Sequence, residues 1–109
     1  MLVELILREH GCDVLLAARP DQAVELATAH AGAIDVVVTD VSLPQMSGPE
    51  LVERLHRIQP AFESLFLSGH SPDAVSGHQT RAGSEFLQKP FDEASLVHTI
   101  DLLLERRHH

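Results

Sequence analysis

Three polar side chains stand where short apolar runs of the sequence end, and together they could handle a phosphoryl group. Asp40 follows a run of valines, Ser68 follows Leu-Phe-Leu, and Lys89 comes shortly after a Phe-Leu pair. A carboxylate can attack a phosphoryl group and form an aspartyl phosphate if the charge on the transferring oxygens is balanced. The Lys89 ammonium could pair with one such oxygen, and the Ser68 hydroxyl could donate a hydrogen bond to another. Taken singly, each residue is more simply a turn or surface residue, so the hypothesis depends on the three together.

These side chains would meet only if the apolar runs are parallel strands of one sheet. Short apolar runs without a helical stripe alternate with amphipathic stretches, and Gly or Pro residues separate them. Strands that alternate with helices imply right-handed crossovers and a parallel sheet, and ligands bind at the carboxyl edge of such a sheet. We therefore predict an α/β fold with an open, mainly parallel sheet and helices on both faces. The predicted strands are 14–17, 35–40, 65–68 and 86–87, and the predicted helices are 2–10, 20–31, 49–58, 71–78 and 93–104.

Length, composition and charge limit the remaining possibilities. The 109 residues suit one domain, which we place at residues 1–107, and we interpret His108 and His109 as the remnant of a purification tag. The net charge of -8 argues against nucleic acid and anionic membranes as direct partners, and no apolar run is long enough to span a membrane. The lone cysteine, Cys12, and the lack of a signal-peptide pattern predict a cytoplasmic protein. The spacing of the histidines does not match a metal site.

Four short motifs follow one another along the chain and carry a family resemblance. They are Thr39-Asp40, Leu43-Pro44-Gln45-Met46-Ser47-Gly48, Ser68-Gly69 and Phe86-Leu87-Gln88-Lys89-Pro90-Phe91. In this order they resemble the receiver domain of two-component response regulators, which has a flavodoxin-like architecture. The resemblance implies that Asp40 accepts a phosphoryl group from a histidine kinase or phosphotransfer protein and that Lys89 contacts this group. It also implies that Ser68 moves to bond the group and that the rotamer of Phe86 reports activation.

The sequence departs from this family at its N-terminus. Family members begin with a strand that ends in two acidic residues, and Met1 lies just after the place where both would stand. In the family that acidic pair helps to hold Mg²⁺. Asp40 and the backbone carbonyl of Ser42 remain as candidate ligands, so we expect weak Mg²⁺ binding. Glu4 or Glu9 could substitute, although we interpret both as solvated residues of the first helix.

The missing strand would be an internal one in the strand order 2-1-3-4-5 that the resemblance implies. Its neighbours would then have unpaired edges, and one of them is the run Val14–Ala17, which we predict to be a strand buried on both faces. Backbone groups without partners inside a sheet are costly. We therefore expect either that the first two strands pair with each other or that the chain self-associates through the exposed edges.

We interpret the chain as a phosphoacceptor receiver domain in a two-component phosphorelay, with a protein-interaction face that phosphorylation switches. It would be a signalling domain rather than an enzyme in its own right. The sequences of residues 47–51 and 65–70 resemble those of receivers attached to hybrid sensor histidine kinases. One alternative is a degenerate receiver that binds proteins independently of phosphorylation. Another is a small phosphatase-like enzyme, for which the sequence shows no general acid or base beside Asp40.

Overall fold

The sheet that positions the three polar residues has three parallel strands in the order β1-β2-β3. The computed structural model of the chain describes residues 2–30, 32–59, 61–69 and 84–107. Within them the strands are β1 Val36–Asp40, β2 Glu63–Ser68 and β3 Glu85–Gln88. The helices are α1 Leu2–Glu9, α2 Pro20–Ala29, α3 Gly48–His56 and α4 Glu93–Arg107. The predicted α/β class and parallel sheet are confirmed.

The middle strand, β2, sets the register of the sheet. It pairs in parallel with β1, where Thr39 lies opposite Phe66, and with β3, where Phe66 lies opposite Phe86. Its residues 64–68 are buried, as expected for an inner strand of a parallel sheet with helices on both faces. Since all three strands run in the same direction, their carboxyl ends lie along one edge of the sheet.

Apolar side chains on the two faces of the sheet form two separate clusters. The α2–α3 cluster joins α2 and α3 to one face and contains the buried residues Ala27, Val41, Leu51, Val52, Leu55, Phe62 and Phe66. The α1–α4 cluster joins α1 and α4 to the other face and contains the buried residues Ile6, Leu7, Leu65, Leu67, Leu96, Ile100 and Leu103. Neighbours on β2 such as Leu65 and Phe66 belong to different clusters, because successive side chains of a strand point to opposite faces. The predicted helices on both faces are therefore confirmed.

The helices begin and end at residues whose types favour those positions. The Ser47 hydroxyl accepts a hydrogen bond from the Glu50 N–H at 3.2 Å, and the Asp92 carboxylate accepts one from the Ser95 N–H at 2.8 Å. Hydrogen bonds from the side chain and backbone of Ser95 hold the pKa of the Asp92 carboxyl below its usual value. Gly11 follows α1 with a φ of 94°, a left-handed conformation that favours glycine. The predicted cap at Asp92 and the predicted stop at Gly11 are both confirmed.

One buried polar side chain, Gln59, ties the end of α2 to the residues that follow α3. Its Nε2 donates to the carbonyls of Ala27 at 2.8 Å and His30 at 3.0 Å. Its Oε1 accepts a hydrogen bond from the Ile34 N–H at 3.3 Å. Because Gln59 is only 4% exposed, these bonds replace contacts with water that the backbone groups would otherwise need. They hold the connection from α2 to β1 in place.

Two arginines at the end of α4 contact the amino edge of the sheet. Arg106 Nη2 lies 3.0 Å from Glu85 Oε2, and Arg106 Nε lies 4.0 Å from Glu63 Oε1. Arg107 Nε lies 3.7 Å from Asp35 Oδ1. These three acidic residues stand at or just before the starts of the strands. The ion pairs therefore anchor α4 at the edge opposite to the strands' carboxyl ends.

The predicted strand Val14–Ala17 does not form, and this prediction was wrong. Residues 12–17 carry no strand pairing, and Leu15 and Leu16 are 46% and 54% exposed rather than buried on both faces. Val14 still packs against the α1–α4 cluster. A strand needs a neighbouring backbone, and β1 pairs only with β2 in the described part of the chain. The expected pairing of the first two predicted strands is therefore also absent there.

Some predictions concern residues outside the described ranges. The helix predicted at 71–78 and the tag remnant at 108–109 both lie there. Where the structure does describe the chain, no helix is long and apolar enough to cross a membrane.

Candidate functional site

The carboxyl ends of the strands line a cleft of about 140 Å³. Asp40 ends β1, Ser68 ends β2 and Lys89 directly follows β3, and all three line the cleft. The structure thus brings together the three residues that the sequence singled out for phosphoryl chemistry. Parallel strands do this because their carboxyl ends share one edge of the sheet. The other described residues that line the cleft are Val41, Ser42, Leu67 and Gly69.

Asp40 and Lys89 form an ion pair across the end of β2. The Lys89 Nζ lies 2.7 Å from the Asp40 Oδ1, and the two side chains are 45% and 38% exposed. The Oδ1 atom itself is shielded from solvent and makes no well-aligned hydrogen bond within the described residues, so the attraction is mainly electrostatic. At this exposure such a pair adds little stability. Its chemical effect is larger, because it places a cation beside the carboxylate that would attack a phosphoryl group.

Backbone hydrogen bonds to β2 hold both partners of the ion pair in place. The Lys89 N–H donates to the Ser68 carbonyl at 2.7 Å, and the Val41 N–H donates to the Leu67 carbonyl at 2.9 Å. The residues that leave β1 and β3 are therefore fixed to the end of the same middle strand. The peptide bond between Lys89 and Pro90 is cis.

Ser68 and Phe86 lie toward the same face of the sheet. Ser68 is 5% exposed and follows Phe66 by two positions in β2, and Phe66 lies opposite Phe86 in the register. The rings of Phe66 and Phe86 stack with their centroids 5.3 Å apart and their planes 29° apart. Since side chains two positions apart in a strand share a face, Ser68 lies next along this face toward the cleft.

The start of α3 comes unusually close to the end of β1. The Gly48 N–H donates to the Val41 carbonyl at 2.6 Å. A β-carbon at Gly48 would overlap the backbone carbonyl of Asp40, so the close approach requires glycine at this position. Sequence reasoning missed this role. The signal was a glycine directly before Pro49, the proline of the first helical turn.

The described residues supply few ligands for the Mg²⁺ ion that the family resemblance implies. Asp40 is the one carboxylate among the described residues that line the cleft, and its charge is paired with Lys89. Ser42 also lines the cleft, whereas Glu4 is paired with Arg8 at 2.8 Å on α1. No group of three His, Cys, Asp or Glu side chains in the described ranges could hold a metal ion. This donor set fits a near-octahedral Mg²⁺ site poorly.

Cys12 is a packing residue at the junction of α1 and α4. It is half-buried and packs against the α1–α4 cluster. Burial raises the pKa of the Cys12 thiol, and the negative charges of Asp101 and Asp13 raise it further. Nearby, the His10 Nε2 lies 2.8 Å from the Asp101 Oδ1 and links the end of α1 to α4. A thiol with a raised pKa is a poor nucleophile and metal ligand, so the cleft remains the candidate site.

Comparison with known sequences points to one family. The family model of the response regulator receiver domain matches residues 1–101. The sensor kinase CckA of Brucella abortus (strain 2308) is 34% identical over 102 residues, which are 93% of this chain and 11% of that protein. The transcriptional regulatory protein GlrR of Escherichia coli (strain K12) is 35% identical over 75 residues, which are 67% of this chain and 17% of that protein. The chain thus spans less than a fifth of either relative.

Comparison with solved structures agrees with the sequence matches. The receiver domain of the hybrid histidine kinase CckA superposes with a TM-score of 0.80 and 29% identity, covering 94% of this chain and 86% of that chain. A response regulator receiver protein from Sinorhizobium medicae WSM419 superposes with a TM-score of 0.83 and 29% identity. The superposition covers 96% of this chain and 84% of that chain. The chain therefore has the receiver fold of these structures over the residues that superpose.

Proposed function

Given that the chain belongs to the response regulator receiver domain family, we propose that Asp40 accepts a phosphoryl group from a histidine kinase or phosphotransfer protein. The observation that carries this proposal is the 2.7 Å contact between the Asp40 carboxylate and the Lys89 ammonium, in a cleft that Ser68 also lines. Phosphoryl oxygens need both charge balance and hydrogen-bond donors, and these residues offer both. The role is that of a cytoplasmic phosphorelay domain. A hybrid histidine kinase is one candidate parent protein, since the sensor kinase CckA contains a matching stretch.

The proposed transfer forms one bond and breaks another. A carboxylate oxygen of Asp40 attacks the phosphorus of a phosphohistidine, a P–O bond forms, the P–N bond breaks, and the imidazole nitrogen keeps the electron pair and takes up a proton. Lys89 then attracts the phosphoryl oxygens as well as the carboxylate and balances the arriving charge. Receiver domains generally bind Mg²⁺, which adds to this charge balance when bound. Asp40 and the Ser42 carbonyl would contribute only weakly to its binding here.

Phosphorylation of Asp40 would act on Ser68 and through it on Phe86. The phosphoryl group carries roughly two negative charges at neutral pH and strong acceptor oxygens. The Ser68 hydroxyl would turn toward them and free space on the face where Phe66 and Phe86 stack. Phe86 would then turn inward and change the surface formed by β3 and the neighbouring helices. A local change in charge would in this way bias a two-state protein-interaction face.

Intact-mass measurement after incubation with acetyl phosphate and Mg²⁺ tests the proposal. We expect a mass increase of one phosphoryl group that hydroxylamine removes, as it does from an acyl phosphate. Two proteins are compared: the 109-residue chain and a version preceded by a strand that ends in two acidic residues. Phosphate on the extended version alone would assign the difference to the added metal ligands. If neither version takes up phosphate, the proposal fails.

Replacing Lys89 with methionine is expected to slow phosphoryl transfer to Asp40 by about 100-fold, because it removes the cation beside the carboxylate. Methionine keeps an unbranched side chain, and the position is 45% exposed, so the fold should persist. The rate of mass increase with acetyl phosphate measures the effect. Lys89→Arg keeps the charge on a larger planar group and should recover part of the rate. Equal rates for Lys89→Met and the unchanged protein would show that Lys89 takes no part.

Binding of a partner without phosphorylation is a second candidate function. The observation that favours it is the single carboxylate in the cleft, which in the described residues already has Lys89 as its counter-charge. In that case a partner would bind the unchanged chain and the Asp40→Asn variant with the same affinity, and acetyl phosphate would not alter it. A phosphorelay role predicts an affinity that changes when Asp40 is phosphorylated.

A further inference from the structure

One row of side chains crosses all three described strands. Thr39 lies opposite Phe66, and Phe66 lies opposite Phe86, in the register of the sheet. Residues opposite each other in neighbouring parallel strands point to the same face. This face is the one that α3 covers, because the Thr39 Cγ2 lies 3.2 Å from where a β-carbon at Gly48 would stand, at the start of α3. Phe66 thus lies between the strand that carries Asp40 and Phe86.

The two aromatic rings of this row differ in how firmly they are held. Phe66 is 1% exposed and lies on β2, which has a paired strand on each side. Phe86 is half-buried and lies on β3, which pairs only with β2 among the described residues. A fully buried ring in an inner strand has little room to change its rotamer, because protein interiors are close-packed. Phe86 is therefore the ring of this pair that can turn.

Contact with the Phe66 ring favours the orientation in which Phe86 stands. The two ring centroids lie 5.3 Å apart, which is within the range that aromatic pairs prefer. A contact of this kind shifts an equilibrium between two ring orientations by about 3- to 10-fold beyond the effect of burial. A Phe86 ring that turned to another rotamer would lose this contact.

We propose that Phe66 is a positioning residue for Phe86, which it holds in the present orientation until phosphorylation turns the ring out of the stack. This inference rests on the proposed function, because phosphorylation of Asp40 is what would turn Phe86. A ligand shifts such an equilibrium only by its differential affinity for the two states. The Phe66 ring would therefore help to set how strongly the interaction face responds to the phosphoryl group.

Three-bond NMR couplings between the backbone and the Cγ of Phe86 give the populations of its χ1 rotamers and test this role in the unphosphorylated chain. The unchanged chain should show one dominant rotamer. Phe66→Leu removes the ring and should raise the ratio of the other rotamers to the dominant one by about 3- to 10-fold. Phe66→Met, whose flexible side chain fills irregular core space, takes its place if Phe66→Leu does not fold. Unchanged populations in the folded variant overturn the proposal.

Phe62→Leu is the matched control. Phe62 belongs to the same α2–α3 cluster and is 7% exposed, but its ring stacks on His56 with the centroids 3.9 Å apart. The substitution removes a buried ring from the same cluster and leaves the stack of Phe66 and Phe86 in place. The rotamer populations of Phe86 should then equal those of the unchanged chain. An equal shift in both variants overturns the proposal, because it would show a looser core rather than the loss of one contact.

The affinity for beryllofluoride, a mimic of the phosphoryl group, links the stack to phosphorylation. The measurement uses Mg²⁺ and a version of the chain that acetyl phosphate modifies. Phe66→Leu should bind up to about 10-fold more tightly than Phe62→Leu, because binding no longer has to break the stack. Equal affinities overturn the link to phosphorylation. If acetyl phosphate modifies no version of the chain, the proposed function fails, and the rotamer populations by themselves decide whether Phe66 holds Phe86.

Discussion

The Asp40→Asn variant is expected to take up no phosphoryl group from acetyl phosphate. This comparison applies to each version of the chain, the 109-residue one or the extended one, that takes up the group when Asp40 is present. Asparagine has nearly the same shape as aspartate, but its amide is a poor nucleophile and carries no charge to attract Lys89. The loss should be complete rather than partial, because the phosphoryl group would be bonded to Asp40 itself. Intact-mass spectrometry measures it as the absence of the added phosphoryl group.

Asp13→Asn is the matched control for this result. Asp13 is exposed and does not line the cleft, so its replacement removes the same charge without touching the proposed acceptor. This variant should be modified at the rate of the unchanged protein. If Asp40→Asn keeps the modification, another side chain is the acceptor and the proposed role of Asp40 is wrong.

Gly48→Ala is expected to lower the free energy of unfolding by about 3 kcal/mol. The added β-carbon would overlap the backbone carbonyl of Asp40, which belongs to β1 and cannot move aside as the end of a side chain can. Gly48 is buried at the start of α3, and its N–H is held by the Val41 carbonyl at 2.6 Å. Helix propensity alone predicts the opposite, since alanine favours a helix over glycine by up to about 1 kcal/mol. Urea denaturation of the two proteins decides between these effects.

Gly69→Ala separates steric overlap from a general effect of losing a glycine. A β-carbon at Gly69 would have no atom of the described residues within 4 Å, and Gly69 does not have a positive φ. The free energy of unfolding of the Gly69→Ala variant should therefore stay within about 0.5 kcal/mol of that of the unchanged protein. An equal loss of stability in both variants would show that contact with the Asp40 carbonyl is not the cause.

Several elements of the fold follow from patterns within a few residues. Consecutive valines before Asp40 predicted β1, and the apolar run at 65–68 predicted β2, which begins two residues earlier at Glu63. Pro20 and Gly11 marked a helix start and a helix end correctly. These features were predictable because capping, proline geometry and the alternation of a strand depend on near neighbours in the chain.

The elements that differ from their predictions depend on distant partners. Val14–Ala17 has an apolar pattern much like that of β1, but it forms no strand because no neighbouring backbone in the described structure pairs with it. Helix α4 continues past the predicted end at residue 104, where Arg106 and Arg107 meet acidic residues at the amino edge of the sheet. A local pattern holds no information about either contact.

The sequence by itself determined which reactive groups the chain carries and which strand ends present them, because residue type and local periodicity are properties of short stretches. Only the tertiary structure decided that the Lys89 ammonium lies 2.7 Å from the Asp40 carboxylate. It also decided that Gly48 must lack a side chain, because the Asp40 carbonyl occupies that space. Distances of this kind arise when separate stretches pack and hydrogen-bond together, so they appear only once the whole sheet and its helices are assembled.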